Sequence, residues 1–179
     1  MTHLKGQHVL IAALGLLASN KKPKLVLVGS AQGRDDYVAE LKSQAAALGY
    51  DDRLVMTGLE TDMASAYAAA DLAIVPTIRP EPFGRTIIEA QAAGLPVIGS
   101  DAGGYRETII AQSPANGGTG WLARINNAEA LAAAIEAALA MSPEDLAAMG
   151  QNGRANVLAN YTRTAMCQRT LNVYREWLG

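Results

Sequence analysis

A chain of 179 residues, half of them hydrophobic and 18% charged, has the size and composition of one soluble globular domain with a sizeable core. Lys and Arg number 15 against 17 Asp and Glu, so the net charge is −2, which offers no electrostatic footing for nucleic acid or an anionic membrane surface. One cysteine, Cys167, excludes an internal disulfide and fits a reducing compartment, and no apolar run reaches the length of a transmembrane segment.

In chain order, Val9, Leu10, Ala13, Leu16 and Leu17 repeat at helical spacing and predict a helix from His8 to Ala18. Asn20, Lys21, Lys22 and Pro23 end it without the small-residue pattern of a cleaved signal peptide. Lys24 to Gly29 is a short apolar run ending in glycine, which reads as a buried parallel strand. A helix is expected over Asp35 to Leu48, a strand over Arg53 to Gly58, and a helix capped at Thr61-Asp62 that runs to Ala70. Asp71 to Pro76 is a third strand, followed by a helix from Gly84 to Ala93 and strands at Pro96 to Ser100 and Gly120 to Ala123. The remainder turns helical: Asn127 to Met141, a helix started by Ser142-Pro143, and Tyr161 to Leu178. Strands alternating with helices imply right-handed βαβ units in a three-layer, Rossmann-like open parallel sheet with helices on both faces. Ligands bind such sheets at the carboxyl ends of the strands, here Gly29-Ser30, Thr57-Gly58, Pro76-Thr77 and Ser100-Asp101.

The most informative segment is Glu81-Pro82-Phe83-Gly84-Arg85-Thr86-Ile87-Ile88-Glu89. Gly84 permits close backbone approach, and the N–H groups of Gly84, Arg85 and Thr86 would form an anion site at a helix start. Thr86 adds a hydroxyl. Glu89, more than one turn on, suits a diol such as a ribose, and Glu81 on the preceding loop suits sugar hydroxyls. Two acids flanking an anion site match a nucleoside diphosphate sugar. Spacing alone leaves a second reading open, because acids near a helix start favour the macrodipole whatever the function. Arg85 is either a phosphate contact or a surface arginine. Gly103-Gly104 either approaches a sugar or makes a tight turn. His3 and His8 have no partners at metal-ligand spacing, so no metal is expected.

The same residues carry a resemblance. EPFGRTIIE resembles the Glu-x7-Glu signature of the group 1 family of retaining GT-B glycosyltransferases. DLAIVPT (71–77), EAQAAGLPVIGSDAGGYRE (89–107), GGTGWL (117–122), LVLVGS (25–30), RLVMTG (53–58) and KGQHVLIAAL (5–14) follow the family's pattern in order, over nearly the whole chain. The resemblance implies the C-terminal, donor-binding domain of a two-domain enzyme. It gives Glu81 the transferred sugar, and gives the backbone at Phe83 and Gly84 the sugar and diphosphate. Thr86 takes a phosphate oxygen and Glu89 the ribose. Lys5 takes the departing diphosphate, with Gly29 and Ser30 lining the strand end beside it. The loop at Met56, Thr57 and Gly58 meets the base through its backbone. A fixed cation such as Lys5 lowers the barrier as charge builds on a leaving phosphate. No cofactor or divalent metal is implied. The expected location is cytoplasmic, with the full-length enzyme peripheral at the inner face of the membrane.

The chain departs from the pattern in four respects. The family's arginine, five residues before the lysine, has no counterpart. The N-terminal acceptor domain and the strand before the first helix are absent. That strand is central in a 3-2-1-4-5-6 order, so the sheet should be closed up, distorted or completed by self-association. Arg79-Pro80 also differs from the commoner loop, which leaves the donor sugar open. Two other readings stand: a non-catalytic nucleotide-sugar-binding fragment, and a nucleotide-sugar epimerase of the same architecture. Gly29 to Gly33 lacks the dinucleotide glycine spacing of a dehydrogenase.

Overall fold

The computed structural model describes residues 1–18, 21–112 and 117–178. A 3-10 turn, His3–Lys5, leads into α1 (Gln7–Gly15). Then follow β1 (Leu25–Val28), α2 (Asp35–Ala47), β2 (Leu54–Gly58), α3 (Met63–Ala68), β3 (Ala73–Val75) and α4 (Arg85–Ala92). The chain continues through β4 (Val97–Ser100), α5 (Tyr105–Thr108), β5 (Gly120–Ala123), α6 (Ala128–Ala140), α7 (Pro143–Asn160) and α8 (Arg163–Leu178). Side-chain caps fix four helix starts. Asp62 accepts from the Ser65 amide, Asn127 from that of Ala130, Ser142 from that of Asp145, with Pro143 in the first turn, and Thr162 from that of Ala165.

Two helices are shorter than their apolar periodicity suggested. Helix α1 closes at Gly15, with Leu16 as its cap, rather than at Ala18. Its expected stop at Asn20 lies outside the described residues. Helix α8 starts at Arg163 because Tyr161, at φ −123°, leaves the helical path as the cap of α7.

Every strand pair is parallel. In β3–β4–β5, Ile74 pairs with Ile98 and Ile98 with Trp121. Alternation then sorts the side chains. Ile74, Ile98 and Trp121 join the cluster built on α1 and α6, while Val75, Val97 and Leu122 join the cluster of Ile87, Ala90 and Tyr105 from α4 and α5. Strand β4 is buried along its whole length, as a central strand covered on both faces must be. On the α4 side, the buried Gln91 amide donates to the Thr108 carbonyl at 2.9 Å and accepts from Asn156 of α7 at 3.4 Å. No polar end of that side chain is left unpaired inside the core.

The sheet is not continuous. Strands β1 and β2 form a separate two-stranded ladder, and β1 has no hydrogen-bonded neighbour on its other edge among the described residues. The break falls between β1 and β3, where a 3-2-1-4-5-6 order places one further strand. The neighbours have not closed the gap. Helix α1 instead bridges it from below, since its cluster contains Leu25, Leu27, Leu54 and Met56 from one ladder and Ile74 and Ile98 from the other. At the carboxyl ends the first residues span it from above. The N-terminal ammonium donates to the Ser30 carbonyl after β1, and the Ile78 amide after β3 donates to the Leu4 carbonyl at 3.0 Å. Helices cover both faces of β3–β4–β5 as expected, while one face of β1–β2 stays partly exposed. Val26, Val28 and Val55 are 48%, 37% and 41% exposed, and the six-residue α3 buries none of its residues.

The Leu25 and Gly29 amides bond to β2 and its end, so by alternation those of Val26 and Val28 face the open edge. Hydrogen exchange followed by NMR should find Val26 and Val28 about fivefold or more faster than Leu27, the equivalent of one net hydrogen bond. Equal protection would mean that the edge is paired in solution.

Candidate functional site

Helix α4 begins one residue after Gly84, which takes φ +85° and ψ 54° and has no side chain to cap the helix. The Gly84 carbonyl accepts from Ile87 at 3.0 Å and Ile88 at 3.4 Å. Among the described residues, the amides of Gly84, Arg85 and Thr86 have no hydrogen-bond partner. These three donors lie at the positive end of the helix dipole. The left-handed backbone and the neighbouring ring together hold the start of α4 in place. A Cβ on Gly84 would overlap the ring of Tyr105, which is 1% exposed and whose hydroxyl burial pushes up to a pKa of about 12.

The loop that carries Glu81 rests on a second pair of glycines. Glu81 and Gly103 form a parallel bridge, and the Gly104 amide donates to the Glu81 carbonyl at 2.8 Å. A Cβ on Gly103 would overlap the Glu81 carbonyl. One on Gly104 would stand 2.7 Å from the Pro82 oxygen and 2.8 Å from Phe83 Cα. Of the two readings of Gly103-Gly104, the geometry displays the tight turn, packed beneath the loop. The Phe83 ring is half-exposed and meets Tyr161 edge-on at 6.0 Å, while the Tyr161 hydroxyl donates to the Glu107 carbonyl at 2.8 Å.

The remaining candidates fall into three groups at the carboxyl ends of the strands. Lys5, at the end of the 3-10 turn, is paired with Glu81; both are partly exposed. Glu89 accepts from Arg85 at 3.3 Å on one oxygen and from the Tyr67 hydroxyl at 3.4 Å on the other. Gly29 donates its amide to the Gly58 carbonyl at 3.0 Å, beside Ser30. One expectation needs correction here. Met56, Thr57 and Gly58 are the last residues of β2 rather than a loop, and the Met56 side chain packs into the α1 cluster, because the alternation that exposes Thr57 turns Met56 inward. Of the two readings of Arg85, the structure displays the surface arginine: its side chain is 84% exposed, and its guanidinium pairs with Glu89 one turn on. Sequence reasoning did not single out Tyr67, Tyr105 or the Asp101–Arg106 pair at 2.7 Å. The available signal for Tyr67 was one aromatic among alanines on a short helix.

Among the described residues no group of three or more His, Cys, Asp or Glu could hold a metal ion, and no helix is long and apolar enough to cross a membrane.

The doubly wound fold, with free amides at the start of the helix after β3, defines a Rossmann-like α/β domain whose site lies at the strand carboxyl ends. The chain belongs to the glycosyl transferases group 1 family, whose model matches residues 1–156. It is 32% identical over 178 residues to the lipopolysaccharide core biosynthesis mannosyltransferase LpsB of Rhizobium meliloti, covering 97% of this chain and 49% of that protein. It is 33% identical to the D-inositol 3-phosphate glycosyltransferase of Segniliparus rotundus, covering 98% and 38%. Its fold is similar to that of Anabaena HepE, solved in complex with UDP and glucose, with a TM-score of 0.86, 29% identity and coverage of 98% and 46%. The C-terminal domain of the group 1 protein LpcC from Francisella tularensis matches at a TM-score of 0.78 and 23% identity, over 91% of this chain and 83% of that one. The fold is thus that of a GT-B C-terminal domain, and the chain spans about half the length of the curated relatives it matches.

Gly84→Ala should cost about 2–4 kcal/mol, from a strained left-handed alanine and an overpacked Tyr105. Urea unfolding measures this. A loss below half that range would show that the start of α4 is not held by the glycine.

Proposed function

We propose that this chain is the donor-binding domain of a retaining glycosyltransferase that transfers a sugar from an NDP-sugar to an acceptor. The observation that carries the reading is the row of unpartnered amides at Gly84, Arg85 and Thr86, with Glu81 and Lys5 before it and Glu89 one turn beyond. The diphosphate rests on these amides and on the Thr86 hydroxyl, Glu89 holds the ribose, and Glu81 and the backbone at Phe83 and Gly84 meet the sugar. Gly29 and Ser30 line the phosphate side, and Thr57 and Gly58 stand toward the base. When the sugar–oxygen bond breaks, the electron pair stays with the phosphate. Lys5 and the helix start then stabilise that charge without a divalent metal. A half-exposed ion pair such as Lys5–Glu81 is worth about 0–1 kcal/mol, so a phosphate and sugar hydroxyls can exchange for it cheaply.

The acceptor belongs to an N-terminal domain beyond this chain, consistent with a chain half the length of its relatives. This chain alone is accordingly inactive in transfer. Helix α8 suits docking on that domain. Met166, Val173, Tyr174 and Trp177, with Leu171 and Leu178, recur at helical spacing, all are exposed, and the helix buries none of its residues. In its absence the same face is the surface through which copies of the chain would self-associate. The cell-envelope roles named for LpsB support a cell-envelope glycan or glycolipid acceptor. In this reading the full-length enzyme works in the cytoplasm, peripheral at the inner face of the membrane.

A thermal-shift screen of UDP-, GDP- and ADP-sugars tests the reading. One nucleotide should raise the melting temperature, Lys5→Ala and Glu89→Ala should each reduce the shift, and EDTA should leave it unchanged. An equal shift in Glu89→Ala and the parent chain would remove the ribose assignment. Interconversion of one UDP-sugar into another without acceptor would move the reading to an epimerase.

A further inference from the structure

We infer that Tyr67 is a positioning residue that sets the Glu89 carboxylate to receive both hydroxyls of a vicinal diol. The inference rests on the assignment of Glu89 to the ribose and deepens it. Glu89 projects from the second turn of α4 and is the acid of the site that stands apart from Lys5. An ionised carboxylate offers about four acceptor sites over its two oxygens. Arg85 takes one on Oε1 and Tyr67 takes one on Oε2. About two remain, one on each oxygen, which matches two adjacent hydroxyl donors.

The two partners differ in what holds them. Arg85 lies on the same helix, and its side chain is 84% exposed, so it follows Glu89 wherever the carboxylate turns. Tyr67 comes from α3, across β3, and its ring packs against the cluster of Val75, Ile87 and Ala90. The ring is therefore fixed by the core, and its hydroxyl is a fixed point against which the carboxylate is oriented. Burial, and then Glu89 itself, push its pKa up to about 12, so the hydroxyl stays a donor throughout the neutral range. The bond also ties α3 to the core on which the site stands, in a helix with no fully buried residue of its own.

The test is calorimetric titration of the whole chain with UDP and GDP, each against its 2′,3′-dideoxy counterpart. For the ribonucleotide that binds, Tyr67→Phe should weaken affinity roughly three- to tenfold, the range of one hydrogen bond to a charged group acting through Glu89. The dideoxy affinity should stay within about twofold. Glu89→Gln should abolish the difference between the two sugars, and Tyr67→Phe should add nothing further in that background. Equal weakening of both ligands by Tyr67→Phe would make Tyr67 merely structural and overturn the inference, as would no effect on either. Those results, with Glu89→Gln still abolishing the difference between the two sugars, leave the donor-site reading intact. If Glu89→Gln keeps the parent chain's preference for the ribonucleotide, or if neither nucleotide binds, the reading itself fails and the inference falls with it.

Discussion

Everything proposed for this protein depends on a backbone approach too close for a side chain. The loop from Glu81 to Phe83 lies directly on Gly103 and Gly104, and Gly84 lies directly on the buried ring of Tyr105. These contacts determine where α4 begins, and so where three amide groups point with no partner. The position of Glu81, four residues before Arg85, and of Glu89, on the second turn, follows from that start. An anion site made of backbone is only as well placed as the packing beneath it.

The second constraint is the interrupted sheet. A central strand normally ties the two halves of a doubly wound sheet by hydrogen bonds on both edges. Here the tie is made by α1 below and by residues 1–5 above. That places Lys5 on the segment that bridges the two ladders. The cation and its partner Glu81 stand over the seam, and the geometry between the Ser30 side and the Glu81 side of the site is set by a few short contacts rather than by a ladder.

The fold was largely legible because its signals are local. β-branched runs ending in glycine, capping residues at Asp62, Asn127 and Ser142, and the Gly84 helix start all act within a few residues of themselves. The break in the sheet was also readable, since strand order is a counting argument. What escaped depended on distant pairs. Nothing in the run Tyr67-Ala-Ala-Ala says that its hydroxyl meets an acid 22 residues on, or that Tyr105 lies under Gly84. The inward turn of Met56 follows from a ladder register that no single strand reveals. The uncovered face of β1–β2 could not be seen from Val26 and Val55, because an apolar run reads as buried until the neighbouring helix is found too short to cover it.

That bare valine face and the open edge of β1 have a practical side. Unpaired strand edges beside exposed β-branched residues are templates on which other chains extend a sheet. Concentrated preparations will tend toward ribbon-like association through β1, independent of any helix pairing. A lysine introduced at Val26 would discourage such growth without touching a residue of the donor site.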